Sequence, residues 1–198
     1  MFLLLQRGAS PSGLALSLCK ASSSEFSVEK GFWERVGSVL GGKEKRLRVF
    51  KLLLRYGLSA RGDEVYVGEK VKVSLKSIAE EAGVDRRTVL ETLRAVSSDP
   101  VLREFFEKLR PAGPSLVSVA RVMGYRCLVV EIYEDRPGIL AWVSSALAEK
   151  GINILQVVAE DPNIYEEPKM YVVVSQDIPE GVISKILQHP AIKRVSIS

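Results

Sequence analysis

Asp135-Arg136-Pro137-Gly138-Ile139-Leu140 sits where the apolar period of the chain changes. Upstream, Leu128, Val130 and Ile132 alternate along Arg126 to Tyr133, the period-two mark of a strand with one buried face. Downstream, Ile139, Leu140, Val143, Ala146 and Leu147 recur at helical spacing between Pro137 and Lys150, and Gly151 ends the run. Pro137 suits a helix entry because its φ is preset, and Gly138 leaves the first backbone amides open to close approach. Further out, Ile152 to Ala159 and Lys169 to Val174 read as a hairpin across the acidic loop Glu160 to Pro168. Pro179 opens a second helix through Val182, Ile183, Ile186 and Leu187, and Ile192 to Ile197 reads as the last strand. The order from residue 125 to 198 is strand, helix, strand, strand, helix, strand.

That order is the split βαβ arrangement of ferredoxin-like domains, which host many functions, so function must be read from a site. The turn Asp135 to Leu140, the stretch Gly151-Ile152-Asn153-Ile154, their fifteen-residue offset from Gly138 to Asn153 and the element order together resemble the ACT domain. The resemblance implies a module that binds an amino acid or similar small molecule and regulates what is attached to it. The chemistry is compatible, since helix-entry amides favour a carboxylate, while Asp135 and the side-chain carbonyl of Asn153 accept protons from an ammonium group. Each residue also has a plainer reading, Asp135 as a helix cap and Asn153 as a turn former. The expected ligand-binding set is Tyr133, Asp135, Arg136, Pro137, Gly138, Ile139, Leu140, Asn153, Ile154 and Leu155, and the ligand's identity is left open. By the same resemblance an edge strand pairs with its twin in a homodimer, so that the ligand lies between Asp135 of one subunit and Asn153 of the other.

The N-terminal half has a different character. Phe32, Val36 and Leu40 mark a short helix, and Leu47, Phe50, Leu53 and Leu54 mark a longer one that stops at Gly57. Asp63 to Val73 reads as extended chain, either a short hairpin or a single strand, with Val65, Val67, Val71 and Val73 around Gly68. Ser74 caps a helix through Ile78 and Ala82 that Gly83 breaks; Asp85 caps the next through Val89, Leu93 and Val96; Asp99-Pro100 opens a third through Leu102, Phe105, Phe106 and Leu109. Ala79 four residues before Gly83, with Ile78 and Ala82 inward and Val84 and Val89 following, resembles a helix-turn-helix motif over about twenty residues. The resemblance implies that the second helix reads double-stranded DNA through Arg86, Arg87, Thr88, Thr92 and Arg94, with Arg48, Lys51 and Arg55 on phosphates. Solvated helix faces are the plainer reading, and Glu91 is an unfavourable neighbour for a polyanion.

Charge separates the halves. Residues 1–114 carry 20 Lys and Arg against 14 Asp and Glu, and residues 115–198 carry 8 against 10, so the basic excess belongs to the N-terminal half. Arg110-Pro111-Ala112-Gly113-Pro114-Ser115 concentrates turn formers and marks the boundary. The expected architecture is α+β: a flexible extension over residues 1–27, a mainly helical helix-turn-helix-like domain over 28–110, a linker over 111–124, and a ferredoxin-like βαββαβ ACT domain over 125–198. No run of about 18 apolar residues suggests a membrane span. The apolar start Met1-Phe2-Leu3-Leu4-Leu5 is cut short by Gln6-Arg7-Gly8, so it reads as part of the extension rather than a signal peptide. Cys19 and Cys127 make no CxxC pair, His189 is the only histidine, and no nucleotide loop or catalytic triad is legible. The expectation is a cytoplasmic non-enzyme with neither metal nor cofactor, resembling as a whole the archaeal regulators of amino acid metabolism that join a helical N-terminus to an ACT domain. Its partners would be an amino acid effector, double-stranded DNA and a second copy of itself. The alternative is a sensor subunit whose helical half docks on another protein.

Overall fold

The computed structural model describes residues 25–198. The extension expected over residues 1–27 therefore lies, up to Ser24, outside the described residues, as does Cys19. The described chain contains seven helices and two antiparallel sheets.

The first unit runs α1 (Glu25–Leu40), α2 (Glu44–Arg55), β1 (Leu58–Arg61), β2 (Glu64–Val67), β3 (Val71–Val73), α3 (Leu75–Ala82), α4 (Arg86–Ser98) and α5 (Pro100–Lys108). Each start of the last three helices is fixed by a side chain that satisfies otherwise orphaned amides. Ser74 accepts from the Lys76 amide, Asp85 from Thr88, and Asp99 from both Val101 and Leu102. Gly83 ends α3 in the left-handed region, φ 61°, where a side chain would be strained. The core gathers Val49, Phe50 and Leu53 of α2, Leu93 of α4, and Leu102 and Phe106 of α5, all with no exposure. Phe50 meets Phe106 edge-on at 5.1 Å.

Extended chain was expected only from Asp63 to Val73, yet three strands form, in the order β1-β2-β3. Strand β1 buries Leu58, Ser59 and Ala60 and is covered by α5. Leu58 and Ala60 do alternate with Ser59 and Arg61, but four residues directly after a helix stop are too few for that alternation to mark a strand.

The second unit runs β4 (Arg126–Ile132), α6 (Ile139–Ala148), β5 (Ile154–Ala159), β6 (Lys169–Val174), α7 (Glu180–Ile186) and β7 (Ile192–Ile197), with strand order β5-β6-β4-β7, every pair antiparallel. Alternation divides the sheet cleanly. Leu128 and Val130 of β4 and Val172 and Val174 of β6 pack with Val143, Ala146 and Leu147 of α6 and Val182 and Ile186 of α7. Cys127, Val129, Tyr171 and Val173 face the other way, where Leu116, Val117 and Ala120 of the connecting segment cover them.

Three local expectations change. Helix α6 begins at Ile139 with Gly138 as its cap, so Pro137 precedes the cap instead of occupying the first helical position. Leu140, read as buried, and Leu187, read as part of the apolar helix pattern, are about half exposed at 48% and 46%, because Leu140 sits in the first turn of α6 and Leu187 just past the end of α7. The connecting segment is also held to the sheet: the Gln156 amide group accepts from the Leu116 N–H at 2.7 Å and donates to the Pro114 carbonyl at 2.8 Å. A bulge at Leu155 sets this up, since it brings Gln156 opposite Val173 on the face that the segment covers.

Candidate functional site

The turn after β4 is built around a helix start without a side-chain cap. Gly138 holds φ 100°, a conformation other residues rarely adopt, and no side chain satisfies the leading amides of α6. Gly138, Ile139 and Leu140 line a cleft of about 200 Å³ together with Asp135, Arg136 and Ile132. Its opposite wall is Ala159, Glu160, Pro162, Pro168, Lys169 and Met170. The cleft is smaller than the roughly 300–1,000 Å³ of sites for drug-sized molecules and suits a small metabolite.

Charge in and beside the cleft is partly committed. Arg136 pairs with Glu134 at 2.5 Å, and Lys169 lies 3.7 Å from Glu131. Glu160 accepts the Lys169 amide at 3.0 Å, and its own amide donates to the Lys169 carbonyl, which closes the neck of the loop. Asp135 is exposed and, among the described residues, makes neither an ion pair nor a hydrogen bond through its side chain. It does not cap α6. The arrangement therefore offers amide donors for a carboxylate, a free carboxylate for an ammonium group, and an apolar floor of Ile132, Ile139 and Met170.

The remaining residues of the expected ligand set lie elsewhere. Tyr133 is 72% exposed and Pro137 is exposed, and neither lines the cleft. Asn153, Ile154 and Leu155 stand at the start of β5, whereas Ala159 at its end borders the cleft. Asn153 is six residue steps from Ala159, roughly 20 Å of extended chain. One chain does not bring Asp135 and Asn153 together. What it brings to the turn is the loop between β5 and β6, whose sequence read only as an acidic connection; its flanking Pro162 and Pro168 were the available signal.

The helix-turn-helix-like region is likewise redistributed by packing. Arg86 is exposed and in no ion pair among the described residues, and it lines a groove with Asp63, Glu64, Lys72, Ser74 and Lys76. Arg87 pairs with Glu91 at 2.9 Å, and Glu91 also accepts from Arg46 at 2.9 Å; these two guanidinium groups, Arg46 first, hold its carboxyl below the usual range. Glu91, counted as an obstacle to DNA, is thus neutralised in place. Thr88 donates its amide and hydroxyl to Asp85 at 2.8 and 2.9 Å and serves the cap. Thr92, expected on the reading face, is fully buried and its hydroxyl donates to the Thr88 carbonyl at 2.8 Å. Arg94 grips Asp63 at the β1–β2 turn with contacts of 3.0 and 3.2 Å, so it ties the sheet to α4.

The expected stripe on α2 also divides. Arg48 lies beside the turn, its Nη1 3.6 Å from where a Cβ on Gly83 would sit. Lys51 is half-buried, and Arg55 stacks over the Tyr165 ring at 4.8 Å, facing the second unit. Helical spacing located the stripe but not what each face meets. His189 accepts the Ala191 amide through Nδ1 at 3.3 Å and packs near Trp142, a structural position at the end of α7.

No protein-family model matches the chain, and no curated protein matches it. Among solved structures, a homoserine dehydrogenase from Thiobacillus denitrificans aligns at 19% identity and TM-score 0.28 over 58% of this chain and 28% of its own length. PH0061 aligns at 14% identity and TM-score 0.24 over 78% of this chain and 89% of its own. The transcriptional regulator NMB0573 of Neisseria meningitidis, in complex with L-Met, aligns at 11% identity and TM-score 0.23 over 79% of this chain and 87% of its own. At those scores the similarities assign neither fold nor function. Among the described residues no helix is long and apolar enough to cross a membrane.

Proposed function

We propose that this chain is an amino-acid-responsive transcriptional regulator, with an ACT-type sensing unit at residues 125–198 and a helix-turn-helix-like unit that binds double-stranded DNA. The observation that carries the sensing half is the cleft under the Asp135 to Leu140 turn, where an uncapped helix start, an uncommitted carboxylate and an apolar floor converge in about 200 Å³. That combination complements the carboxylate, ammonium and side chain of one small amino acid. The DNA half is supported by the exposed Arg86, by Arg48 beside the turn, and by the neutralisation of Glu91. A homodimer, by the ACT resemblance, supplies Asn153 from the second copy.

Calorimetry and thermal melts of the full chain with each of the twenty L-amino acids test the sensing unit. At least one is expected to bind and to raise stability by about 2.7 kcal/mol at a hundredfold excess over Kd. Asp135→Asn is expected to abolish that gain, and silence across the whole panel would end the sensing reading.

Asp63 and Glu64 beside Arg86 favour a second reading, in which the helical unit docks on a protein. Salt-sensitive binding of duplex DNA supports the first reading, and its absence in wild type supports the second.

A further inference from the structure

The loop that walls the cleft also touches the helical unit. Pro162 lines the cleft, and three residues later Tyr165 lies under the Arg55 guanidinium, at the last turn of α2. Between them the loop is braced as one piece. The Asp161 carbonyl accepts the amides of Ile164 and Tyr165, both at 2.9 Å, and the Asp161 carboxylate accepts the Asn163 amide at 2.7 Å and its side-chain amide at 3.0 Å. Pro162 is thus enclosed in a hydrogen-bonded turn that links Asp161 directly to Tyr165, a route by which displacement of Pro162 reaches Tyr165.

On the far side, the end of α2 is where the helical unit's own contacts converge. Tyr56, next to Arg55, donates its hydroxyl to Glu81 of α3 at 3.0 Å. Gly57 follows with φ 61°, and a Cβ there would come within 2.5 Å of the Pro111 Cα, so the connecting segment runs directly over it. Helix α3 leads through Gly83 into α4, which carries Arg86 and Arg87. Five residues lead from the cleft wall to the first helix of the turn motif: Pro162, Tyr165, Arg55, Tyr56 and Glu81.

We propose that the 160–168 loop is a transmission element, in which Tyr165 stacked under Arg55 couples occupancy of the cleft to the position of the α2 end and hence of α3. The proposal rests on the reading of the cleft as an effector site for its input, but the coupling itself is a property of the ligand-free chain. The cation–π pair sets the strength, and Arg55 gives this unit its one aromatic-stacked guanidinium toward the other unit among the described residues.

Hydrogen exchange of the full chain, read by mass spectrometry, tests it in two arms. Without ligand, Tyr165→Ala is expected to speed exchange of the Tyr56 and Gly57 amides, which bond Leu52 and Leu54, by about 2- to 5-fold, the range a partly exposed cation–π contact supplies. Arg55→Gln is expected to speed the Ile164 and Tyr165 amides comparably, and Tyr165→Phe to leave both sets at wild-type rates. Reciprocal effects of that kind support the coupling; a change confined to the mutated side overturns it, whatever binds in the cleft. In the second arm an equimolar mixture of the twenty L-amino acids is added. Protection at Ile139 to Ala141 together with altered exchange at Tyr56 and Gly57, the latter lost in Tyr165→Ala, supports transmission. Protection at Ile139 to Ala141 with no change at the α2 end overturns transmission and leaves sensing intact. No response at either place overturns the effector reading, while the first arm still decides the coupling.

Discussion

Asp99 serves three helices, α5 and α1 through its carboxylate and α4 through its backbone amide, which donates to the Val96 carbonyl. It accepts the Val101 and Leu102 amides at the start of α5, closes α4 as its C-terminal cap, and receives Arg35 of α1 at 2.9 Å. The Leu102 amide, with Arg35 and the Val101 amide adding to it, holds the carboxyl below the usual range against the opposing effect of burial. A depressed folded-state pKa means that the stabilisation is present above the unfolded carboxylate range and is lost as pH falls through the folded value. Asp99→Ala should therefore melt lower than wild type at neutral pH, and the gap should close on acidification. Thermal melts across the acid range check this; a gap that persists once carboxylates are protonated would assign the effect to something other than the charge. Cys127 shows the opposite perturbation, since burial pushes its thiol up and makes it a poor nucleophile.

Helix α2 shows how one element acquires several roles. Its inner face, Val49, Phe50, Leu52 and Leu53, is core, and this much follows from helical periodicity. Its polar faces are assigned by what packs around it: Arg46 to Glu91, Arg48 to the Gly83 turn, Arg55 to Tyr165. The helix end is then sealed by Gly57. Gly57→Ala meets both a left-handed φ, which costs roughly 1–2 kcal/mol in an L-residue, and the backbone of Pro111. The expected outcome is a lower melting temperature together with faster tryptic cleavage after Lys108, as the connecting segment is pushed off. Unchanged cleavage would show that the segment is not held there.

At the scale of the molecule, function depends on which residues are brought together and which are kept apart. The sheet keeps Asp135 and Asn153 at opposite ends of one chain. If a second copy supplies Asn153, Asp135→Asn and Asn153→Ala should each abolish amino acid binding alone. Their mixture, after dissociation and reassociation, should recover binding at one of the two sites in each heterodimer. Calorimetric stoichiometry reads this directly, and full binding by Asn153→Ala alone would instead make the cleft self-sufficient. For the helical unit, Arg86→Ala with Arg87→Ala should weaken duplex DNA binding and reduce the slope of log K against log salt by about 0.9 for each phosphate contact removed. Thr92→Val should leave DNA affinity unchanged because the hydroxyl is buried. A gel-shift titration over a salt series separates the two outcomes.

Apart from β1 and the count of strands in the small sheet, the elements and their order are read directly from the chain, because periodicity, caps and glycine helix stops act within a few residues. Gly83 ends α3, Asp85 and Asp99 start α4 and α5, and the strand–helix alternation after Tyr125 was legible for the same reason. Gly138 was legible as a place where bare amides can be approached, whereas its φ of 100° and its position as the helix cap were not. Packing set the neighbours: Thr92 is core, Arg55 leaves the expected DNA-facing stripe for Tyr165, β1 joins the small sheet, and the 160–168 loop completes the cleft. Apart from the β1–β2 pairing, those facts join residues dozens of positions apart. Local pattern carries no information about such contacts, since the free energy that selects them comes from packing the whole chain.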